Sequence, residues 1–170
     1  MRTLVLGLGN ELIADDAVGL LAVRRLRDQL NGEADVLESS LSGIALVELL
    51  VGYDRVILVD AMQTGRTPAG TIHEFAPDDF RAINAPSPHY AGIPEILALA
   101  RELNLDFPTD ISIIAIEAAD LSTLGGGLST PVAEALNELV DRIRALLDAP
   151  LSQPLLRHHR DLGANCTSSA

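Results

Sequence analysis

Short runs of consecutive apolar residues alternate along the chain with longer stretches in which apolar residues recur every three or four positions. The runs predict buried strands, and the period of about 3.6 residues predicts amphipathic helices. The predicted strands are Arg2 to Leu8, Ala34 to Glu38, Arg55 to Asp60, Gly70 to Phe75 and Ile111 to Ile116. The predicted helices are Asp16 to Leu30, Gly43 to Val51, Gly92 to Leu103 and Thr130 to Leu147.

This alternation predicts an α/β fold, with a mostly parallel, twisted sheet of about five strands and helices on both of its faces. The run from Arg55 to Asp60 is apolar on both faces, which predicts a central strand covered on each side. Two helix starts carry capping predictions. Ser42 is expected to cap the second helix, and Thr130 to cap the fourth, with Pro131 at its first position.

The predicted elements end near residue 149, which favours one domain over residues 1–149. The remaining stretch, residues 150–170, contains two prolines, has a polar end and shows no apolar period. We therefore expect it to be a flexible C-terminal tail. The neighbouring His158 and His159 lie in this tail, where a solvated pair is the simpler interpretation.

Charge and cysteine content narrow the function. Twelve Lys and Arg against twenty-four Asp and Glu give a net charge of −12, which argues against nucleic acid as a partner. The single cysteine, Cys166, offers neither a disulfide framework nor a Cys-based zinc site, so metal chemistry would use oxygen and imidazole ligands. No apolar stretch or N-terminal leader predicts a membrane span or a signal peptide, and we expect a cytoplasmic protein.

Several acidic residues end or follow predicted strands and so belong at the carboxyl edge of the sheet, where ligands bind in open parallel sheets. They are Asp15, Asp16, Asp60, Glu117 and Asp120. For Asp15 a helix cap is the simpler interpretation, and for Asp16 a first-turn acid favoured by the helix dipole. Asp60 ends a buried strand, and its carboxylate needs a hydrogen bond, a charge partner or a metal ion.

Among the histidines, His89 lies in a loop that Pro86 and Pro88 restrict, whereas His73 fits the surface of a weak strand. Two carboxylates and the His89 imidazole at one edge would form a site of three ligands, suited to zinc, nickel or a similar divalent ion. Without a cation, two such acids would repel each other.

The motifs of a dinucleotide-binding site and of a serine hydrolase are incomplete or absent. Gly7-x-Gly9 follows a strand, but Leu12 stands at the place of the third glycine of a dinucleotide-binding fingerprint, and Asp15 and Asp16 would oppose a pyrophosphate. The chain has no Gly-x-Ser-x-Gly elbow, so a serine hydrolase of the α/β-hydrolase type has no support.

Four motifs in order resemble those of the hydrogenase maturation endopeptidases, the HybD-like proteases. They are LVLGLGNELIADDAVG from Leu4 to Gly19, VILVDA from Val56 to Ala61, SPH from Ser87 to His89, and GLS from Gly127 to Ser129. The resemblance covers residues 1–148, and in that family the metal-contacting residues match Asp16, Asp60 and His89. The same three residues are therefore the candidate catalytic and metal-ligating side chains.

The resemblance implies an endopeptidase that removes a C-terminal extension from the precursor of a [NiFe]-hydrogenase large subunit after nickel has been inserted. The precursor is then the partner, and nickel (Ni) arrives with the substrate. Another divalent ion, such as zinc (Zn) or cadmium (Cd), can occupy the site in the isolated protein. The segment from Glu38 to Gly43 departs from the family pattern, and Glu38 is a candidate replacement for a family acid.

Two alternatives remain open. A nickel-binding chaperone or carrier for hydrogenase assembly would use the same three ligands without catalysis. Peptidyl-tRNA hydrolase has a similar opening strand and Gly-Leu-Gly-Asn turn, but its following motifs differ from Glu11 to Asp16, and the net charge opposes tRNA binding. The sequence does not determine the oligomeric state, although no long exposed apolar stripe requires a partner and a monomer is compatible with the pattern.

Overall fold

Strands and helices alternate along the chain in the computed structural model, which describes residues 1–76, 79, 89 and 93–150. The strands are β1 (Thr3–Leu8), β2 (Asp35–Ser39), β3 (Arg55–Met62), β4 (Ile72–Phe75) and β5 (Asp110–Glu117). The α-helices are α1 (Val18–Arg27), α2 (Val47–Leu50), α3 (Ile93–Glu102) and α4 (Thr130–Asp148). Two 3₁₀ turns, Asp15–Ala17 and Gly43–Leu46, lead into α1 and α2. The predicted order of elements is confirmed.

The five strands form one sheet in the order β2-β1-β3-β5-β4. Strands β2, β1, β3 and β5 are parallel to one another, and β4 pairs antiparallel with β5. All eight residues of β3 are buried, and β3 lies in the middle of the sheet, as its apolar sequence predicts. The carboxyl ends of β1, β3 and β5 therefore meet at one edge.

Alternate residues of the strands face two separate cores, which makes the molecule a three-layer α/β structure. On one face α1 and α4 pack against strand residues such as Val5, Ile57 and Ile114. On the other face, the segment from Leu46 to Leu50 and helix α3 cover residues such as Leu6 and Leu58. The predicted arrangement, with helices on both faces, is confirmed.

Helix starts are the part of the fold that the sequence predicted least well. Helix α1 begins at Val18, not at Asp16, because the chain first makes a 3₁₀ turn. Ser42 is extended, but its side chain caps nothing, and the helix predicted from Gly43 is a 3₁₀ turn followed by one α-helical turn. The N-cap of α4 is Ser129, one residue before the predicted Thr130.

A buried ion pair closes the amino edge of the sheet. Arg55, the first residue of β3, places its Nε 3.2 Å from Oδ2 of Asp110, the first residue of β5. Its two other nitrogens donate hydrogen bonds to the carbonyls of Leu146, Leu147 and Ala149. Carbonyls in the last turn of a helix lack the full set of helical partners, so Arg55 supplies donors to this end of α4 and fixes it to the sheet.

The predicted tail, residues 150–170, lies outside the described residues apart from Pro150, and with it lie His158, His159 and Cys166. The division into a domain of residues 1–149 and a flexible tail stays a prediction. No helix among the described residues is both long and apolar enough to cross a membrane.

Candidate metal centre

Three side chains from separate parts of the chain converge at the carboxyl edge of the sheet. Asp16 comes from the 3₁₀ turn before α1, Asp60 from β3, and His89 from the stretch between β4 and α3. Each offers one ligand atom, and the three atoms all lie within 4.8 Å of one another. All three residues are buried, with 5%, 0% and 6% of their surface exposed.

Glycines without side-chain atoms let α1 approach the sheet closely enough for Asp16 to reach Asp60. A Cβ added to Gly19 would lie 2.5 Å from the carbonyl oxygen of Val59, the residue before Asp60. Gly9 has φ +145°, and a Cβ there would collide with the carbonyl oxygen of Asp16. The segment from Gly9 to Gly19 therefore depends on glycine at both ends to hold Asp16 in place.

The ring of His89 is oriented by a main-chain carbonyl. Its Nδ1 lies 3.2 Å from the carbonyl oxygen of Leu41, and because a carbonyl only accepts, Nδ1 must carry a proton. Its Nε2 faces Oδ2 of Asp16 at 3.5 Å. This arrangement leaves Nε2 as the atom that can bind a metal ion, with the second ring nitrogen held by an outer contact, as in many metal sites.

The two carboxylates give the centre a negative character. The contact with Asp16 raises the pKa of His89 to about 9; burial opposes this shift, and the charge of Asp60 adds to it. Asp60 itself accepts a hydrogen bond at 2.7 Å from the amide of Ala61 on its Oδ1. At neutral pH the imidazole is therefore protonated in the absence of a metal ion, and it offsets part of the charge of the two acids.

The donor set fits a divalent cation. A cation bound at roughly 2.0 to 2.2 Å from each donor keeps the donors within about 4.4 Å of one another. The three atoms lie within 4.8 Å of one another, which is close to that limit. Two carboxylates and one neutral imidazole match the oxygen and nitrogen preferences of nickel or zinc and leave coordination positions open for substrate or water.

The other acids at this edge hold loops together. Asp15 accepts hydrogen bonds from the amides of Ala119, Asp120 and Ser129 and from the Ser129 hydroxyl. The prediction that Asp15 caps its own helix is therefore wrong: its carboxylate ties the loop after β5, including the predicted GLS motif, to the start of α1. The sequence analysis did not predict this role of Asp15. The one available signal was that the motif containing Asp15 and the GLS motif both belong to the same family resemblance.

The carboxylates of Glu117 and Asp120 also accept hydrogen bonds from backbone amides. The carboxylate of Glu117 is buried and accepts hydrogen bonds from the amides of Thr64 and Gly65 and from the Thr64 hydroxyl. Hydrogen bonds from Thr123 and Ser122 lower the pKa of Asp120 well below its ordinary range. Asp60 and Glu117 lie near the carboxyl ends of β3 and β5, and the other three acids lie in the segments that follow β1 and β5. Only Asp16 and Asp60 join His89.

Glu38, on β2, forms part of an ion-pair cluster. Its carboxylate contacts Arg24 at 2.6 Å and Arg27 at 3.0 Å, and Arg24 also pairs with Glu11. Burial raises the pKa of Glu38, but the two arginines more than offset this and lower it overall. An open cavity of about 330 Å³ lies between Glu38, Glu11, Arg24 and the turn at Gly9. Glu38 is not one of the three convergent ligands.

His73 is half-buried on the edge strand β4, as its alternation with Ile72 and Phe75 predicts. Its Nε2 lies 3.0 Å from the hydroxyl of Thr67, and its ring stacks on Phe75 at 5.8 Å between centroids. These contacts give His73 a structural role away from the centre.

Comparison with known proteins gives one consistent result. A family model described as hydrogenase maturation protease matches residues 20–146, a range that includes Asp60 and His89 and begins after Asp16. The hydrogenase expression/formation protein HupD of Thiocapsa roseopersicina is 31% identical over 143 residues, which are 81% of this chain. This chain spans 64% of the length of that relative, slightly less than two thirds.

Two further matches, one to a sequence and one to a solved structure, are from Escherichia coli. The hydrogenase 2 maturation protease of strain K12 is 29% identical over 142 residues, which are 81% of this chain and 85% of that protein. The solved structure of the hydrogenase maturating endopeptidase HybD from E. coli superimposes with a TM-score of 0.75 at 27% identity, and the match covers 87% of this chain and 93% of that one.

Proposed function

Because this chain belongs to the hydrogenase maturation protease family, we propose that it is an endopeptidase that removes the C-terminal extension of a [NiFe]-hydrogenase large-subunit precursor after nickel insertion. The observation that carries the proposal is the convergence of Asp16, Asp60 and His89, whose ligand atoms lie within 4.8 Å of one another. Such a cluster is suited to recognise a metal ion, and here the ion is part of the substrate.

Charge explains why a nickel-loaded precursor would be selected over an empty one. Asp16 and Asp60 bring two negative charges, and a Ni²⁺ ion neutralises both while His89 binds as the neutral imidazole. Binding therefore displaces the proton of His89 and replaces its contact with Asp16. A precursor without nickel offers no cation to this buried centre and leaves His89 paired with Asp16. In the isolated protein, zinc or cadmium can take the same position.

Hydrolysis requires a water molecule to attack the carbonyl carbon of the scissile peptide bond, after which the C–N bond breaks and the new amine takes up a proton. The nickel of the substrate acts as a Lewis acid, and one of the two carboxylates acts as the general base that removes the proton from water. The open coordination positions expected beside Asp16 and Asp60 give the water molecule a place to bind.

A precursor-cleavage assay tests the proposal. Nickel-loaded and nickel-free precursor are each incubated with one tenth of an equivalent of this protein, and the product masses are measured. We expect the loaded precursor alone to become shorter, with several precursor molecules cut per protein molecule, and the Asp60→Asn variant to leave it intact.

The assay also separates the competing functions. A nickel chaperone or carrier would bind the ion stoichiometrically and leave the length of the precursor unchanged. An unaltered precursor mass after prolonged incubation, with bound nickel confirmed, would contradict the peptidase proposal. Hydrolysis of peptidyl-tRNA by the same preparation would favour the remaining alternative.

A further inference from the structure

Large apolar side chains are exposed at the carboxyl edge of the sheet, the edge that carries the metal centre. Among the described residues, eight large hydrophobic side chains are exposed, and four of them lie in three loops that leave the carboxyl ends of β1, β2 and β5. We call these four the aliphatic rim: Leu12 (67% exposed), Leu41 (44%), Ile44 (67%) and Leu124 (76%). A concentration of exposed aliphatic residues around a polar site is typical of a surface that another molecule covers.

Backbone pairing holds two members of the rim in place. The amide of Gly125 donates to the carbonyl of Leu12 at 2.8 Å, and Ile13 forms β-bridges to Leu124 and Gly125. The carboxylate of Asp15 then anchors the loop of Leu124 through four hydrogen bonds. Leu12 and Leu124 are therefore presented to solvent by a fixed backbone, which lowers the entropy lost when a partner covers them.

The rim borders the centre on two sides. On one side, Leu12 lies in the same segment as Asp16, four residues before it. On the other side, the carbonyl of Leu41 is the acceptor that orients His89. We therefore expect a molecule that brings a metal ion to the three ligand residues to contact both parts of the rim.

We propose that the aliphatic rim is the docking surface for the hydrogenase precursor, and that it packs against an apolar surface surrounding the precursor's nickel. This inference rests on the proposed function. The three ligand residues are at most 6% exposed, so an ion already held by another protein reaches them only when that protein's surface lies against the loops at this edge. The occupant is therefore a folded precursor, and the apolar contact supplies affinity that the metal centre alone does not.

Serine substitutions in the rim test the proposal. Leu12→Ser and Leu124→Ser should each raise the KM for nickel-loaded precursor about tenfold, and the double variant about 100-fold, because each loses the transfer free energy of a buried leucine. The kcat should stay within about threefold, since the reacting groups are untouched. Leu12→Met combined with Leu124→Met should retain a KM close to that of the unaltered protein.

Leu103→Ser is the matched control, because Leu103 is 59% exposed and follows α3, outside the three loops. Its KM should be unchanged. The affinity of the isolated protein for Ni²⁺ alone and the melting temperature should be the same in all variants, which shows that the centre and the fold are intact. Leu41→Ser combined with Ile44→Ser provides an independent test on the other side of the centre.

Three results would overturn the proposal. One is a KM for the Leu12→Ser, Leu124→Ser double variant within twofold of the unaltered protein. Another is an equal rise in KM for Leu103→Ser. The third is a protein that sediments as a dimer and becomes monomeric in the double variant, because the rim would then join two copies of this chain.

Direct binding separates this inference from the proposed function. If the unaltered protein fails to cut the precursor, immobilised nickel-loaded precursor is used to measure binding alone. Binding to the unaltered protein that is lost in the double variant would support the docking surface while the peptidase proposal fails. Equal binding to both proteins, or to neither, would contradict the docking surface.

Discussion

Each edge of the sheet contains a buried ion pair, and the two pairs differ in what else surrounds them. At the amino edge, Nε of Arg55 lies 3.2 Å from Oδ2 of Asp110. The other two guanidinium nitrogens of Arg55 donate hydrogen bonds to main-chain carbonyls. At the carboxyl edge, His89 and Asp16 lie 3.5 Å apart beside a second carboxylate, Asp60. The first pair has a structural role, because it connects the start of β3 and β5 with the end of α4. The second combines a titratable base with two acids and can exchange its proton for a cation.

The comparison shows that buried charge alone does not identify a functional site. Asp15 and Asp16 are neighbours in the chain and both are buried, yet the four donors to Asp15 are amides and a hydroxyl of the same fold. Asp16 faces an imidazole and another carboxylate instead. A carboxylate whose neighbours are other metal-ligating groups is the one that can bind an ion.

The largest expected effect comes from replacing the ligands at the carboxyl edge. Asp16→Asn or His89→Ala should reduce cleavage of nickel-loaded precursor by more than about 100-fold, because even residues that only support a metal ligand cost 10- to 100-fold when replaced. Both variants should retain a cooperative unfolding transition. The measurement is the initial rate of precursor shortening, together with a thermal melt.

Asp120→Asn provides the control, since Asp120 belongs to the same edge and an asparagine can keep its turn. We expect nearly unchanged cleavage. Full activity in Asp16→Asn or His89→Ala would remove that residue from the mechanism.

A smaller effect, on stability and not on chemistry, is expected at the amino edge. Arg55→Met should lower the free energy of unfolding by about 3–5 kcal/mol, because it leaves the buried Asp110 carboxylate without its cation. The folded fraction should cleave precursor at the normal rate. Denaturant unfolding gives the first quantity, and a rate normalised to folded protein gives the second.

Arg144→Met serves as the comparison, since Arg144 pairs with Glu33 and Asp148 at the surface and its loss should cost at most about 1 kcal/mol. Adding Asp110→Leu to Arg55→Met should recover part of the stability. Equal losses from the two arginine variants would show that the buried pair has no special role.

The smallest expected effect is a pH dependence confined to the carboxyl edge. The pKa of His89 is raised to about 9 from an ordinary value near 6.5, so the folded state holds its proton more tightly than the unfolded state. This contribution is fully present below about pH 6.5 and is lost as the pH rises to about 9. We expect the metal-free protein to lose up to about 3 kcal/mol of unfolding free energy over that range.

Denaturant unfolding between pH 6 and 9.5 measures this loss, with His89→Gln as the reference that removes the imidazole. The difference between the two proteins should decline with rising pH, and the same decline should persist in an Arg55→Met background. A difference that is flat or increases with pH would contradict the assignment.

The sequence predicted the sheet well because the strands carry their own signal. β3 and β5 are nearly continuous apolar runs, which suit a parallel strand covered on both faces. The antiparallel direction of β4 was not predicted, because the apolar pattern of a strand does not specify which neighbour it pairs with or in which direction. The predicted helix caps were wrong: the Ser42 side chain makes no capping hydrogen bond, and the N-cap of α4 is Ser129, whose hydroxyl donates to Asp15.

The candidate centre was predictable in outline and not in detail. Strand ends and the family resemblance together named Asp16, Asp60 and His89, and the structure brings these three together. Their roles as ligands stay predictions. The carbonyl of Leu41 that orients His89 and the three carbonyls that hold Arg55 were invisible in the sequence, because every residue has a carbonyl group and only the folded backbone decides which ones meet a side chain.

The close contact at Gly19 has a consequence for any attempt to redesign this protein for a different ion. The spacing between Asp16 and Asp60 is fixed by bare backbone packed against bare backbone, where a single methyl group would collide with the carbonyl of Val59. Exchanging the ligating side chains alone would leave the distance between these two backbone positions unchanged. Increasing that distance for a larger ion would instead begin with a substitution at Gly19, a residue that is not a metal ligand.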